Sequence, residues 1–396
     1  MSTVEVVNQA ASDHSRLSEW LARTLGARSP VAFSVRTPAG AALPFGSGPP
    51  AFEIVIHNDT GLAALRSLNE PRLAEAYIRG DFEIEGDFIT ALSLRDALSD
   101  RSIWLKLWRR LEPLLRGREQ CNPAWISKHY DMENIQFFCT DADYRTYTPG
   151  IYEHDHDTLE TGGRRKLDFA FRSLGLLPGD NVLDIGCGWG GFLRFAAEHE
   201  VRGTGITLSK HQLAFVTEMI RANGYPAEVH YQDFFSFEPR EPFNGIVMSG
   251  VIEDLSDYHL VMQRLPRLLK PGGRVYLDFA TTRKRFDTSS FITRYIWPGT
   301  FRLVYMPEFM DAVDRSPFEV VGIYRDRHNY YLWSKHGYDR WMENKATVVD
   351  QAGIERWRMM RLLIAGSAAL MRTTSRGAGA CRVVLELPSG APGRRG

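Results

Sequence analysis

The stretch Val182–Gly191, VLDIGCGWGG, decides how the rest of the chain is read. Val182, Leu183 and Ile185 frame a short buried strand with Asp184 near its tip. The chain then turns through Gly186 and Gly188 and enters a helix at about Gly191. Glycine tolerates positive φ and lets a ligand approach the backbone. Gly186, Gly188 and Gly191 satisfy GxGxxG, a weak signal that dinucleotide folds share. The acid two residues before the first glycine separates this turn from a pyrophosphate-binding one.

Outward from the turn, strand-like and helical runs alternate, as in a mostly parallel sheet. GFLRFAAEHE is a helix, GTGITLS a second strand, SKHQLAFVTEMIRANG a helix, AEVHYQD a third strand and FNGIVMSGVIEDL a fourth strand with its loop. YHLVMQRLPRLLKPGG is a helix with a Pro-Gly-Gly stop, RVYLDFAT a fifth strand, and CRVVLELP a strand near the end. The fold class is α/β. The 396 residues exceed what one core usually serves, so two domains are expected: 1–120, small and mostly helical, and 121–396, catalytic. In the first, AFEIVIH reads as a strand and the text from Gly61 through DFEIEG as helical.

Lys and Arg number 48, as do Asp and Glu, so no global field draws the chain to nucleic acid. Locally, residues 101–120 carry six basic and two acidic side chains. Trp104, Leu107, Trp108 and Leu111 share a face there with Lys106, Arg109 and Arg110 beside it, which suits an anionic bilayer surface or, equally, a linker helix. The first residues lack an export signal. Cys121, Cys139, Cys187 and Cys381 have no metal-ligand spacing. The expectation is a reducing cytoplasm, peripheral contact with the inner face of the membrane, and no metal.

Asp184 at the strand tip resembles the first motif of class I methyltransferases, a Rossmann-like fold on a mostly parallel seven-stranded sheet. There the turn holds the amino acid end of S-adenosylmethionine. Thr207, Leu208 and Ser209, with Gln212 behind them, offer hydroxyl and amide groups to a ribose. Gln232, Asp233 and Phe234 stand where adenine would bind, an acid for its amino group and an aromatic for its face.

Taken together, DIGCGWGG, GITLSKHQ and YQDF resemble the cyclopropane fatty acid synthase family, including its mycolic acid relatives. HYD at 129–131, Lys166-Leu167, GVIED at 250–254, LKPGGR at 269–274 and EAYIRGDFEIEGD at 75–87 extend the likeness over most of the chain. The resemblance implies S-adenosylmethionine as cofactor, with Tyr147, Thr148 and Gly190 also at its site. It implies methyl transfer to the double bond of an unsaturated acyl chain, typically in a phospholipid. A methyl-branched, methylene or methyl-diene product, a precursor of furan fatty acids, is expected. A cyclopropane synthase is the alternative, and a lipid-binding homologue without catalysis the third reading. A second copy of the chain and a downstream lipid-modifying enzyme are the further partners considered.

Such chemistry needs aromatic faces against a carbocation and a base for the departing proton. Candidates for the former include Tyr147, Tyr152, Tyr295, Trp297, Phe301, Tyr305, Tyr330, Tyr331 and Trp333. In the family a bicarbonate ion is the base, held by a Cys backbone, a Glu, a His and a Tyr. Here Glu253 and Tyr330 match, but Pro149 stands at the Cys position and has no N–H. Asp254 follows Glu253 where a His is expected, and Asp278 falls on the fifth-strand His, where its charge would repel the anion. The catalytic set expected is Glu253, Asp278 and Tyr330, with Glu253 or Asp278 as base. Asp278 as a salt-bridged strand residue without a chemical role stays open.

Overall fold

The computed structural model describes residues 19–25, 29, 31–97, 134–255, 257–284, 289–296, 302–373 and 377–390. They form two compact units, one drawn from Met1–Arg101, Ser289–Phe291 and Thr347–Ala369, the other from Ser102–Thr288, Ile292–Ala346 and Leu370–Gly396. The basic stretch 101–120, the HYD segment, Trp297 and Phe301 lie outside the described residues.

The first unit contains strands β1 (Phe33–Arg36), β2 (Ala42–Phe45), β3 (Phe52–Ile56) and β4 (Phe82–Gly86) in the order β2-β1-β3-β4. Helices α1 (Asp59–Ser67), α2 (Glu70–Arg79) and α3 (Phe88–Ala91) accompany them. A four-stranded sheet thus stands beside these helices, and β4 falls where the run through DFEIEG reads as helical. The reason lies at Gly80, whose φ of +85° caps α2. Beyond it Phe82 and Ile84 alternate with Glu83 and Glu85, a period of two, and Ile84 pairs with Ile54 of β3. Arg361, from the helix Ile354–Arg372, joins this unit from far along the chain. Its buried guanidinium donates to the Tyr77 hydroxyl at 2.9 Å and lies 3.8 Å from the centre of the Phe88 ring. Those partners compensate the burial of its charge.

The second unit is built on β5 (Asn181–Ile185), β6 (Arg202–Thr207), β7 (Ala227–Tyr231), β8 (Phe243–Ser249), β9 (Leu269–Thr282), β10 (Val304–Tyr305), β11 (Glu319–Arg325) and β12 (Ala378–Glu386). Seven follow the order β11-β12-β9-β8-β5-β6-β7, and β10 pairs with β9. Neighbours from β9 to β7 run parallel, while β12 is antiparallel to both β9 and β11. This is the expected class I sheet. Its helices include α4 (Leu159–Leu174), α5 (Gly191–Glu198), α6 (Lys210–Asn223), α7 (Tyr258–Leu268), α8 (Met306–Asp314) and α9 (Arg327–Glu343).

Successive strand residues serve opposite faces, as a pleat demands. Leu183, Leu277 and Val383 join one core with Leu265 and Phe309, whereas Val182, Tyr276 and Val384 join another with Leu167 and Phe195. Every residue of β5 is buried, so Val182, Leu183 and Ile185 all face core although they lie on both faces of the strand. The chain leaves β5 toward β6 and β7, then returns to β8 on the other side of β5. In open α/β sheets a ligand crevice opens at that switch, outside the carboxyl ends of the strands.

Candidate active site

At the carboxyl end of β5 the glycine turn takes the conformation that only glycine adopts freely. Gly186, Gly188 and Gly190 have φ of +68°, +53° and +77°. A Cβ on Gly186 would stand 2.5 Å from Cγ2 of Val251, whereas one on Gly188 would meet no atom within 4 Å. Gly186 is thus required for packing, and open space lies beside Gly188. Asp184 is 4% exposed, and burial pushes its carboxyl up to about 7, against the pull of Lys166 and with a push from Asp278. A cation placed beside Asp184 would restore its charge, and the ammonium of an amino acid is such a cation. The turn and the acid fit the amino acid end of S-adenosylmethionine.

Lys166, buried on α4, donates to Thr148 Oγ1 and lies 2.9 Å from Asp278 Oδ2. The same oxygen accepts from Ser249 Oγ at 2.8 Å. The charge of Asp278 is therefore matched by a lysine, which corrects the expectation that this carboxylate repels an anion. A buried pair of this kind is costly to break, because removing one partner strands the other. It also ties Thr148 to the fifth strand of the central sheet, with Gly250 alongside. A Cβ on Gly250 would come 2.7 Å from the Thr148 methyl.

The groups after β6 and β7 are more occupied with each other than the sequence suggests. Thr207 Oγ1 donates to Gln212 Oε1 at 2.8 Å and accepts from the Ser209 N–H at 3.1 Å. Ser209 caps α6 by accepting from the Gln212 N–H. Leu208 is partly exposed between them. Asp233 accepts from the Phe235 N–H at 2.9 Å, and Gln232 donates to Ser236 Oγ at 3.0 Å. Phe234, expected on the adenine face, is instead a core residue, 5% exposed and packed in the cluster of Ile185, Ile206 and Ile252. After a strand of alternating exposure, a consecutive FF pair must send one ring inward, and here it is the first. Phe235 is the partly buried ring of the pair.

Glu253 lies just beyond β8, 5% exposed. Its Oε1 accepts from the Ala280 N–H at 2.8 Å, and its Oε2 is buried with no hydrogen-bond partner. Burial pushes this carboxyl up to about 8; the Ala280 N–H opposes the shift, and Asp254 and Asp278 add to it. Burial likewise pushes Asp254 up to about 7. Tyr330, on α9, is near enough that the charges of Glu253 and Asp278 add to the burial that raises its hydroxyl. Trp333, one turn along, stands edge-on to Tyr330 at 5.5 Å and to Tyr147 at 6.2 Å between ring centroids. Of the seven aromatic candidates among the described residues, the fold brings together Tyr147, Tyr330 and Trp333. Tyr152 packs instead against Gly162 and His336.

Two anchoring networks have no sequence signature. Asp141 accepts from the N–H groups of Tyr144, Arg145 and Thr146, which holds the turn leading to Tyr147. Arg382 of β12 donates to Asp326 Oδ2 at 2.5 Å, Asn329 Nδ2 donates to Asp326 Oδ1 at 2.8 Å, and Asn329 Oδ1 accepts from the Tyr152 N–H at 3.0 Å. That chain of bonds fixes the start of α9, and so Tyr330, against the 147–152 loop. The Asp326–Arg382 and Asn329–Tyr152 partners stand 56 and 177 residues apart, too far for a local pattern to show them.

Residues 118–377 match the family model described as mycolic acid cyclopropane synthetase. The chain is 28% identical over 342 residues to a probable fatty acid methyltransferase of Pseudomonas putida, covering 82% of this chain and 85% of that one. It is 26% identical over 320 residues to sphingolipid C9-methyltransferase 2 of Gibberella zeae, covering 76% of this chain and 61% of the fungal protein. The fold is similar to that of the mycolic acid cyclopropane synthase CmaA1 crystallised with SAH and CTAB, with a TM-score of 0.61, 24% identity, and coverage of 67% of this chain and 98% of that one. With the glycine turn, the buried acid and the sheet order, these matches place the chain in the mycolic acid cyclopropane synthetase family, as an S-adenosylmethionine-dependent methyltransferase acting on lipids.

Proposed function

We propose that this enzyme transfers a methyl group to a carbon of the double bond in an unsaturated acyl chain, carried by a phospholipid, and that Glu253 removes the proton that must then leave. The observation that carries this reading is the state of Glu253: one oxygen fixed by a backbone N–H, the other buried and unpartnered, with the side chain in electrostatic reach of Tyr330. S-adenosylmethionine, when bound, supplies an electrophilic methyl group. Asp184 would hold its ammonium, and Gly186, Gly188 and Gly190 would let the backbone approach it. Asp233 and Gln232 would meet the adenine, while Thr207, Leu208, Ser209 and Gln212 shape the wall near the ribose.

An alkene is a weak nucleophile, so its conversion to a cation must be favoured by the site. Tyr147, Tyr330 and Trp333 present aromatic rings, whose negative faces stabilise positive charge. A unit positive charge about 5 Å from Glu253, at an effective dielectric constant near 20, lowers the free energy of the carboxylate by about 3 kcal/mol, roughly two pKa units. The base is the ionised form of Glu253, whose share in the resting site grows as pH approaches 8, and the substrate cation stabilises that carboxylate until it takes the proton. Loss of the proton to Glu253 Oε2 leaves a methylene or methylated alkene. The ion pair of Lys166 with Asp278 keeps the second carboxylate occupied, which favours Glu253 for this step and gives Asp278 a positioning role.

A protein base makes bicarbonate unnecessary, and Pro149, lacking an N–H, favours that conclusion. The decisive experiment is analysis of lipids from cells expressing the chain with different unsaturated fatty acids, by mass and proton NMR, with and without bicarbonate in the purified reaction. Methyl or methylene products formed at an unchanged rate without bicarbonate support the proposal. Upfield cyclopropane protons and strict bicarbonate dependence would refute it. The basic, tryptophan-containing stretch 101–120 supports contact with the anionic inner face of the membrane. No helix among the described residues is long and apolar enough to cross one.

A further inference from the structure

Asp184 matches the ammonium of the cofactor's amino acid end, and the carboxylate of that end needs donors of its own. Three N–H groups of the glycine turn are already occupied: those of Gly186 and Cys187 donate to the Ile206 carbonyl, and that of Gly190 donates to the Cys187 carbonyl. The short 3-10 helix Asn134–Cys139 offers a free one. Gln136 is 1% exposed, and its Nε2 is buried with no hydrogen-bond partner among the described residues. Buried side-chain amides are nearly always paired, so an unpaired one calls for a ligand or another account.

Aromatic packing sets this helix on the turn. Gln136 Oε1 accepts from Trp189 Nε1 at 3.4 Å, and Trp189 stands between Gly188 and Gly190. The Phe137 and Trp189 rings meet at 4.6 Å, Phe215 of α6 packs on both, and the Arg145 guanidinium lies 3.8 Å from the Phe137 centroid. On the other side the Cys139 carbonyl abuts α9, where a Cβ on Gly337 would come within 2.8 Å of it. Gln136 is thus held between the glycine turn and the helix that carries Tyr330 and Trp333. The methionine part of the cofactor lies between the same two elements when its methyl group faces those rings. An indole N–H only donates, so the amide turns its oxygen to Trp189 and its NH2 away from the ring. We propose that Gln136 Nε2 donates to the carboxylate of S-adenosylmethionine and, with Asp184, recognises both charges of its amino acid end, an inference that rests on the cofactor assignment. The free protein carries an unsatisfied amide that binding relieves, so this donor contributes more to affinity than one already bonded to water.

The test is calorimetric titration of the full chain with three ligands: S-adenosylhomocysteine, its decarboxylated counterpart, and methylthioadenosine, which lacks the whole amino acid end. Gln136→Glu keeps an oxygen for the Trp189 N–H and exchanges only the free donor for a second oxygen. It should weaken S-adenosylhomocysteine at least about 100-fold and the other two less than about threefold. Gln136→Met removes the amide at nearly constant volume and should weaken S-adenosylhomocysteine about 10- to 100-fold, again sparing the other two. Because it also removes an unpaired buried amide, the melting temperature of the free Met variant should hold or rise, while the increase on adding S-adenosylhomocysteine shrinks. Circular dichroism checks the fold of both variants, and either one alone decides the comparison. Equal loss for all three ligands would mean that Gln136 only packs the turn, and unchanged affinity for S-adenosylhomocysteine would mean that its amide faces elsewhere. Either result overturns the inference and leaves the cofactor assignment standing, whereas a wild type that fails to bind S-adenosylhomocysteine removes both.

Discussion

Replacing Glu253 by Gln preserves the shape of the side chain and an oxygen to accept from the Ala280 N–H, and it removes only the ionisable group. Burial raises the folded carboxyl from its ordinary 4.5 to about 8. Between those values the folded protein keeps a proton that the unfolded chain releases. Its stabilising contribution is fully present below pH 4.5 and is lost as pH rises through 8. The interval is worth ~5 kcal/mol above pH 8 and ~3 kcal/mol at pH 7, at 1.36 kcal/mol per pKa unit. The Gln variant carries no such penalty, so its melting temperature at pH 8 should exceed that of the wild type by a few degrees. Its turnover should fall by about 10² to 10⁴, the usual worth of a general base. In the wild type, kcat/KM for labelled methyl entering unsaturated phospholipid should rise about tenfold per pH unit and level off near pH 8, and the residual rate of the variant should lack that rise. A variant within tenfold of wild-type activity, or one less stable at pH 8, would refute the assignment of Glu253 as a strained, buried base.

Asp184→Ala should abolish S-adenosylmethionine binding in calorimetric titration. Gly188→Val should do the same, because it puts a β-branched side chain at φ of +53° into the open space beside the turn; near-wild-type affinity in either would sink the cofactor assignment. Lys166→Met should cost about 3–5 kcal/mol in denaturant unfolding by stranding the Asp278 charge. Asp278→Asn with a stable fold and turnover as low as that of Glu253→Gln would instead make Asp278 a second base. Neutralising Lys106, Arg109 and Arg110 should weaken binding to anionic vesicles at low salt, since each basic residue contributes about 1 kcal/mol near such a surface. Unchanged binding would make that stretch structural.

The alternation of strands and helices from Val182 to Thr281, the glycine turn and its acid were legible without coordinates. They depend on local rules: periodicity, positive φ and a strand tip. The mycolic acid cyclopropane synthetase family could be named from the same motifs. Less local matters were not legible. β4 was hidden inside a helical run because a single capping glycine, Gly80, decides where the helix stops. Phe234 reads as a ligand contact until the core shows which ring of the pair turns inward. Whether Asp278 is a free base or a salt-bridged strand residue stays open in the sequence, until α4 brings Lys166 to 2.9 Å from it, across 112 residues of chain. The choice of Tyr147, Tyr330 and Trp333 among the seven described aromatic candidates likewise awaited α9, fixed by Arg382 and Asp326. A sequence records which groups are available. Burial and partnership, which give Asp278 its lysine and raise the Glu253 carboxyl, arise only when distant segments displace water together.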